Sequence, residues 1–380
     1  MKVDIKDDID IKWSESERSC GYFVNVIWPL LERGHEVDLY NWLKDQCLLR
    51  RTGKCPEKFC GTDMTWTKAR VRDKFNWQCT ISGCVGRLPI RHGSFFSNIH
   101  CEIKKALEVV LGWCERRSIE ECSLHLDLLP KVVSRIYKQC IEVAADYVSM
   151  HPEEWSLGAL GGVVVVDVFP SIYMSPKFLA KTSPTEPRPK RILCIADLKC
   201  LPPRIWMSLL DEKPEDRKKE KREKKENGED GMASPPPKRK RSGTKSLADR
   251  EEKGVGAVLA HLAQVVLPGT KVVGSSRWVP LQPLQRLTGL SGTSVESLVA
   301  LDKPDSKSAL NNLREIWKTA AEICEEAQGL PRKDARCYIL EYMWRQIHGS
   351  SISSAMENIL RHIAMKYSSD KIFESNALFN

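Results

Sequence analysis

No stretch of this sequence approaches the about 18 uninterrupted apolar residues of a membrane-spanning helix, and no internal repeat is visible. The longest apolar run, Ala159 to Phe169, is broken by Gly161, Gly162 and Asp167 and reads as a buried strand. The segment Met1 to Trp13 is rich in Asp and Lys and lacks the apolar centre of a secretory leader. These absences predict an intracellular chain with no membrane partner.

What is present is ordinary in bulk and uneven in detail. The 380 residues, 42% hydrophobic and 29% charged, suffice for two or three domains with their own cores. Fourteen cysteines in a long chain without an export signal are expected to be reduced. Cys140, Cys194, Cys324 and Cys337 sit among apolar neighbours, which suits core thiols and leaves others as metal ligands. The net charge of +9 is concentrated in two places. Between Arg50 and Gly93, ten Lys or Arg face three Asp or Glu, a surplus of seven; between Lys213 and Gly254, fifteen face ten, a surplus of five. Basic charge gathered in this way is the footprint of a polyanion-binding protein, because neutralised phosphates release counterions.

The second basic stretch, 213–254, has almost no large apolar residue and contains Pro235-Pro236-Pro237. It cannot bury enough surface to offset its ordering entropy, so a disordered linker is expected. Within it, Lys238, Arg239, Lys240 and Arg241 form a compact exposed cluster that a nuclear import receptor can read, which predicts a nuclear location. The remaining chain divides into an N-terminal helical segment (1–50), a Cys- and Gly-rich segment (51–99), a helical segment (100–152) and a region of strands and helices (153–212 and 255–368).

Cys55 and Cys60, then Cys79 and Cys84, form two pairs with four residues inside each and eighteen between. Four thiolates on facing hairpins suit tetrahedral zinc, so a structural zinc ribbon is expected, with Trp66, Phe75 and Trp77 packing its hairpins. His92 or Cys101 remains an alternative ligand. Beyond it, Ser118-Ile-Glu-Glu121 is a capping box opening a helix, and Pro130 starts the next. In that last helix Val133, Ile136, Tyr137, Cys140, Ala144 and Val148 make an apolar stripe, leaving Lys131, Ser134, Arg135 and Lys138 exposed on its leading turns. This is the pattern of a helix-turn-helix that places its second helix in the major groove of double-stranded DNA, with Arg135 and Lys138 reaching bases. Lys68, Arg70, Arg72 and Lys74 between the cysteine pairs are the expected phosphate contacts.

The order of these elements, with Phe75-Asn-Trp77-Gln-Cys79, Arg91-His-Gly93-Ser94-Phe95-Phe96 and the strand ending at Asp167, resembles the Merlin family of DNA transposases, relatives of bacterial insertion-sequence transposases. The resemblance covers residues 37–366 apart from the linker. It implies an α+β multidomain chain in which a zinc ribbon and a helix-turn-helix precede a ribonuclease-H-like α/β domain. It also implies three acids holding two divalent metals such as Mg²⁺, and action as a homo-oligomer. Asp167 matches the first acid, but Ser276 and Arg314 occupy the other two positions, with Glu315 one residue from the third. A hydroxyl is a poor Mg²⁺ ligand, and a guanidinium puts a fixed positive charge where the metals belong. The expectation is therefore a transposase-derived DNA-binding pseudoenzyme. The competing readings are an active enzyme using displaced acids (Asp197, Glu296, Asp302 or Glu315) and a zinc-ribbon adaptor that binds protein.

Overall fold

In the computed structural model the chain builds two separate β-sheets, and the structure describes residues 21–32, 36–171, 189–198, 203–210, 247–275, 277–294 and 304–367. The described part is α+β, as the sequence predicts. It divides into two compact units, one made of the residues up to Met150 together with those from Leu340 onward, the other of His151–Ile339.

In the first unit a π-helical turn, Phe23–Ile27, leads into helices α1 (Trp28–Glu32) and α2 (Glu36–Asp45). An antiparallel sheet follows, with strands β1 (Met64–Lys68), β2 (Phe75–Cys79) and β3 (Arg87–Pro89) in that order. Trp66 and Trp77 are direct cross-strand partners whose rings meet edge to face at 5.6 Å. Tyr40 of α2 meets Phe75 at 5.9 Å, and Lys44 lies over the Trp66 ring at 5.0 Å. Three helices come next: α3 (Ile103–Cys114), α4 (Ile119–Leu126) and α5 (Pro130–Met150). The capping box is present as predicted, since Ser118 accepts from the Glu121 N–H and Glu121 accepts from the Ser118 N–H. Such caps stabilise a helix start by about 1 kcal/mol.

Helix α3 is buried on nearly every side, from Ile103 and Leu107 to Trp113 and Cys114, which makes it the central helix of this unit. It packs against α4 and α5, and also against α10 (Ile352–Tyr367) at the far end of the chain. Met356 of α10 lies 3.9 Å from the Cys114 sulfur, and Trp113 meets Trp344 at 5.5 Å. Trp344 belongs to α9 (Arg332–His348), which begins in the second unit and ends in the first. The division thus differs from the expected grouping of 255–368 with the strand region. An amphipathic helix buries its stripe wherever a complementary face is available, and sequence order does not specify which face that is.

The second unit is built on a five-stranded sheet of order β6-β5-β4-β7-β8. Strands β4 (Val163–Phe169), β5 (Ile192–Asp197) and β6 (Ile205–Leu209) form an antiparallel meander. Strands β7 (Lys271–Gly274) and β8 (Ser291–Ser294) extend it in parallel with β4. Helix α6 (Leu247–Val265) connects the meander to β7, and α7 (Leu281–Thr288) connects β7 to β8. Parallel neighbours need such crossovers, and their central strands run apolar on both faces. Val163-Val-Val-Val166 of β4 is such a strand. Its even-numbered residues Val164, Val166 and Val168 join Leu193 and Ile195 in a core covered by Val258, Leu262 and Leu284 of α6 and α7. The opposite face meets α8 (Pro304–Gly329), where Trp317 lies 5.9 Å from Phe169, and Cys324 Sγ is 4.0 Å from Cys194 Sγ. Most of the expected linker, with Lys238, Arg239, Lys240 and Arg241, lies outside the described residues. From Leu247 the chain is already helical, earlier than the predicted boundary.

Candidate metal centre and basic face

The four predicted cysteines converge. Cys55 and Cys84 sulfurs lie 3.6 Å apart, Cys60 and Cys79 also 3.6 Å, and Cys60 and Cys84 3.9 Å. All four sulfurs are within 4.8 Å of one another. A regular tetrahedron of metal–thiolate bonds at about 2.3 Å puts sulfurs about 3.8 Å apart, so the four cysteines can hold a metal ion. Among the described residues this is the only group of three or more Cys, His, Asp or Glu so placed, and neither His92 nor Cys101 belongs to it.

The local backbone explains the convergence. Cys55 N–H donates to Thr62 O and Cys79 N–H to Gly86 O, which close the two knuckles. A Cβ on Gly86 would lie 2.3 Å from the Cys55 sulfur, so only glycine leaves the site its fourth corner. Hydrogen bonding from the side chain and backbone of Thr62 brings the Cys60 thiol down to about 6.

The Arg-His-Gly-Ser-Phe-Phe segment behind the ribbon is a structural clasp. The buried Arg91 guanidinium holds the Asp73 carboxylate on two sides, Nε to Oδ2 at 2.7 Å and Nη2 to Oδ1. Its Nη1 donates to the carbonyls of Ile99 and Cys101, both at 2.8 Å. Phe95 and Phe96 are fully buried, and the Ser94 hydroxyl donates to Arg91 O at 2.6 Å. Gly93, at φ 70°, leaves room for the Arg50 guanidinium, which a side chain there would strike. The one clue to Asp73 in the sequence is that it is the single acid in the basic stretch from Lys68 to Lys74.

That clasp organises the predicted cations. Lys68 ends β1, and Arg70, Arg72 and Lys74 lie on the turn to β2; all four are exposed. With Asp73 turned inward to Arg91, this tip presents no exposed acid. On α5 the predicted stripe is buried, with Val143 and Ala145 added to it, and Lys131, Ser134, Arg135 and Lys138 are exposed. Arg135 Nη1 donates to Asn98 O at 2.9 Å. The loop 98–101 is therefore bonded both by Arg135 of α5 and by Arg91, which also holds Asp73 of the hairpin tip. Opposite the tip, the metal knuckles expose apolar side chains: Phe59, whose φ is 68°, Ile81 and Val85.

In the second unit, Asp167 lies on the middle strand and faces the α8 side, opposite Cys194 in the β4–β5 register. Burial pushes its carboxyl up to about 6, although the Val168 N–H (2.8 Å) and the Ser171 side chain bond to it and favour the anion. Of the other candidate acids, Asp197 is paired with Val164, which puts it on the α6 face and toward the other end of the strand. Arg314 and Glu315 are both exposed, because α8 turns Leu313, Ile316, Trp317 and Ala320 inward. Ser276, Glu296 and Asp302 lie outside the described residues; β7, which leads to Ser276, runs beside β4 with Gly274 opposite Val166.

The raised Asp167 pKa sets a pH-dependent expectation. Between the ordinary value of 3.8 and about 6, the native state binds more protons than the unfolded state, so stability falls as pH rises. Asp167→Asn is therefore expected to stabilise the chain by about 1–2 kcal/mol at pH 8 and to leave it unchanged at pH 3.5. Urea unfolding at the two pH values measures this, and an equal effect at both would show that the carboxylate bears no burial cost. Comparison of the chain with protein-family models, with curated proteins and with solved structures finds no match.

Proposed function

We propose that this chain is a nuclear, zinc-dependent binder of double-stranded DNA, derived from a cut-and-paste transposase whose catalytic acids are largely lost. The observation that carries the reading is that the exposed cations of the hairpin tip and of the leading turns of α5 are tied to a single loop by Arg91 and Arg135. In this reading β1–β3 form a zinc ribbon and α4–α5 a helix-turn-helix with α5 in the major groove. Zinc is favoured over other ions by an all-thiolate donor set with sulfur spacings close to the tetrahedral value. It would serve as a structural ion, holding the knuckles without taking part in chemistry.

The ribonuclease-H-like reading of the second unit is supported by its mixed sheet, with Asp167 on the central strand and helices on both faces. The loss of catalysis is supported by Arg314 and Glu315, both turned to solvent. Among the described residues Asp167 belongs to no group of three or more Cys, His, Asp or Glu that could hold a metal ion. Mg²⁺ would enter only an active form.

The test is binding of the full chain to random duplex DNA over a range of salt, with and without a zinc chelator. The expected result is chelator-sensitive binding whose affinity falls steeply with salt. Replacing Lys68, Arg70, Arg72 and Lys74 together by Ala is expected to make the log–log salt slope shallower by about 3.6, at about 0.9 for each phosphate left unneutralised. Mg²⁺-dependent strand cleavage that disappears in Asp167→Ala would overturn the pseudoenzyme reading. A second reading, a protein-binding adaptor, is favoured by the exposed Phe59, Ile81 and Val85 on the knuckles. Absence of duplex binding with the metal in place would move the conclusion there.

A further inference from the structure

The hairpin tip and α5 both carry exposed cations and are both tied to the 98–101 loop, yet their shapes differ. A helix with its side chains is about 10–12 Å across and fits only the major groove, which is about 12 Å wide; the minor groove is about 6 Å wide. The tip between β1 and β2 is a narrow object. Ala69 N–H donates to Lys74 O at 2.8 Å and Lys74 N–H to Val71 O at 3.0 Å, so the chain reverses within the few residues between Ala69 and Lys74. Lys74 adopts φ 58° to close it. Arg70, Val71 and Arg72 are all exposed at the apex, and the remaining apex residue, Asp73, is drawn inside by Arg91. The buried ion pair does two things for this tip. It removes the one negative charge that would oppose a polyanion, and it anchors the turn so that little ordering remains on binding.

Resting on the DNA-binding reading above, we infer that the Arg70-Val71-Arg72 tip enters the minor groove beside the major-groove site of α5 and selects narrow, A·T-type stretches there. Arginine is the side chain suited to this place. Its guanidinium is more weakly hydrated than an ammonium, and a narrow minor groove carries an enhanced negative potential. The minor groove of G·C pairs opposes entry, because the guanine 2-amino group projects into it. The tie from Arg91 to the 98–101 loop, and from that loop to Arg135, links the tip to α5 through one loop.

Inosine separates this inference from its rivals. An I·C pair lacks the 2-amino group, so its minor groove is like that of A·T while its major groove is like that of G·C. The full chain is titrated by fluorescence anisotropy onto three duplexes of equal length, with A·T, G·C or I·C pairs across the central stretch. The expected result is binding to the A·T and I·C duplexes about tenfold tighter than to G·C. In the double variant Arg70→Lys, Arg72→Lys that preference is expected to disappear, while metal content stays as in the parent. Grouping of I·C with G·C would overturn the inference in favour of major-groove reading by the tip. Equal affinity for all three would overturn it and leave DNA binding through phosphates intact. No binding to any duplex by the metal-loaded chain would overturn both the inference and the DNA-binding reading.

Discussion

The chain is expected to carry one zinc ion, and its removal is expected to unfold the ribbon while the strand unit stays folded. The 51–99 segment is too small to be held by a core of its own, and its two knuckles come together at the sulfurs. Structural zinc in sites of this kind contributes about 10–16 kcal/mol of apparent binding energy at neutral pH, which becomes folding energy when no site preforms. Without the ion, four thiols within 4.8 Å of one another cannot all ionise, and the loop at Cys55–Cys60 loses its tie to that at Cys79–Cys84. Elemental analysis and hydrogen exchange measure the effect: a strong chelator, or Cys79→Ser, is expected to remove the ion and the amide protection of β1 to β3. Gly86→Ala keeps all four thiols but places a methyl group against the Cys55 sulfur, so it is expected to lose metal as well. Protection that survives chelation would mean that aromatic packing alone holds the ribbon.

The second large effect concerns the clasp. Asp73→Asn leaves the Arg91 guanidinium buried without its anion, and breaking one side of such a pair costs about 3–5 kcal/mol. Both side chains are nearly excluded from water, with 6% and 12% exposure for Arg91 and Asp73, so salt will screen the pair little. Urea unfolding of the first unit, followed by circular dichroism, is expected to show the loss at low and high salt alike. Arg91→Met combined with Asp73→Leu is expected to recover much of it, because the uncompensated charge is then gone. A change below about 0.5 kcal/mol in Asp73→Asn would show that the carboxylate does not hold the guanidinium in solution.

Features written in short-range patterns are legible in the sequence. The two cysteine pairs, the Ser118–Glu121 box and the stripe on α5 each lie within a few turns or one hairpin, where spacing alone specifies geometry. Asp167 stands out as the one acid in a valine run, which places it on a buried strand. What escapes such reading depends on distant partners. Strand β8, Ser-Gly-Thr-Ser, has no large apolar residue, and it is a strand because β7 offers it a parallel edge. Asp73 reads as one more loop acid until Arg91 is brought to it from 18 residues away. Arg314 and Glu315 are picked out only by a resemblance, whereas the inward face of α8 is set by Leu313, Ile316 and Trp317 packing toward the sheet. The association of α10 with α3 and α5 has no sequence signal, since its stripe would fit any apolar surface.

That association gives the chain an order of completion. The first unit is begun by residues near the N-terminus but finished by α10, so the whole strand unit is inserted within it and the backbone crosses between the units twice. During synthesis α3 and α5 wait, with the face that receives Met356 open, until the ribosome has passed Tyr367. A message truncated after the strand unit would therefore leave Trp113 and Cys114 of α3 without Trp344 and Met356, although every other residue of that core had already been made.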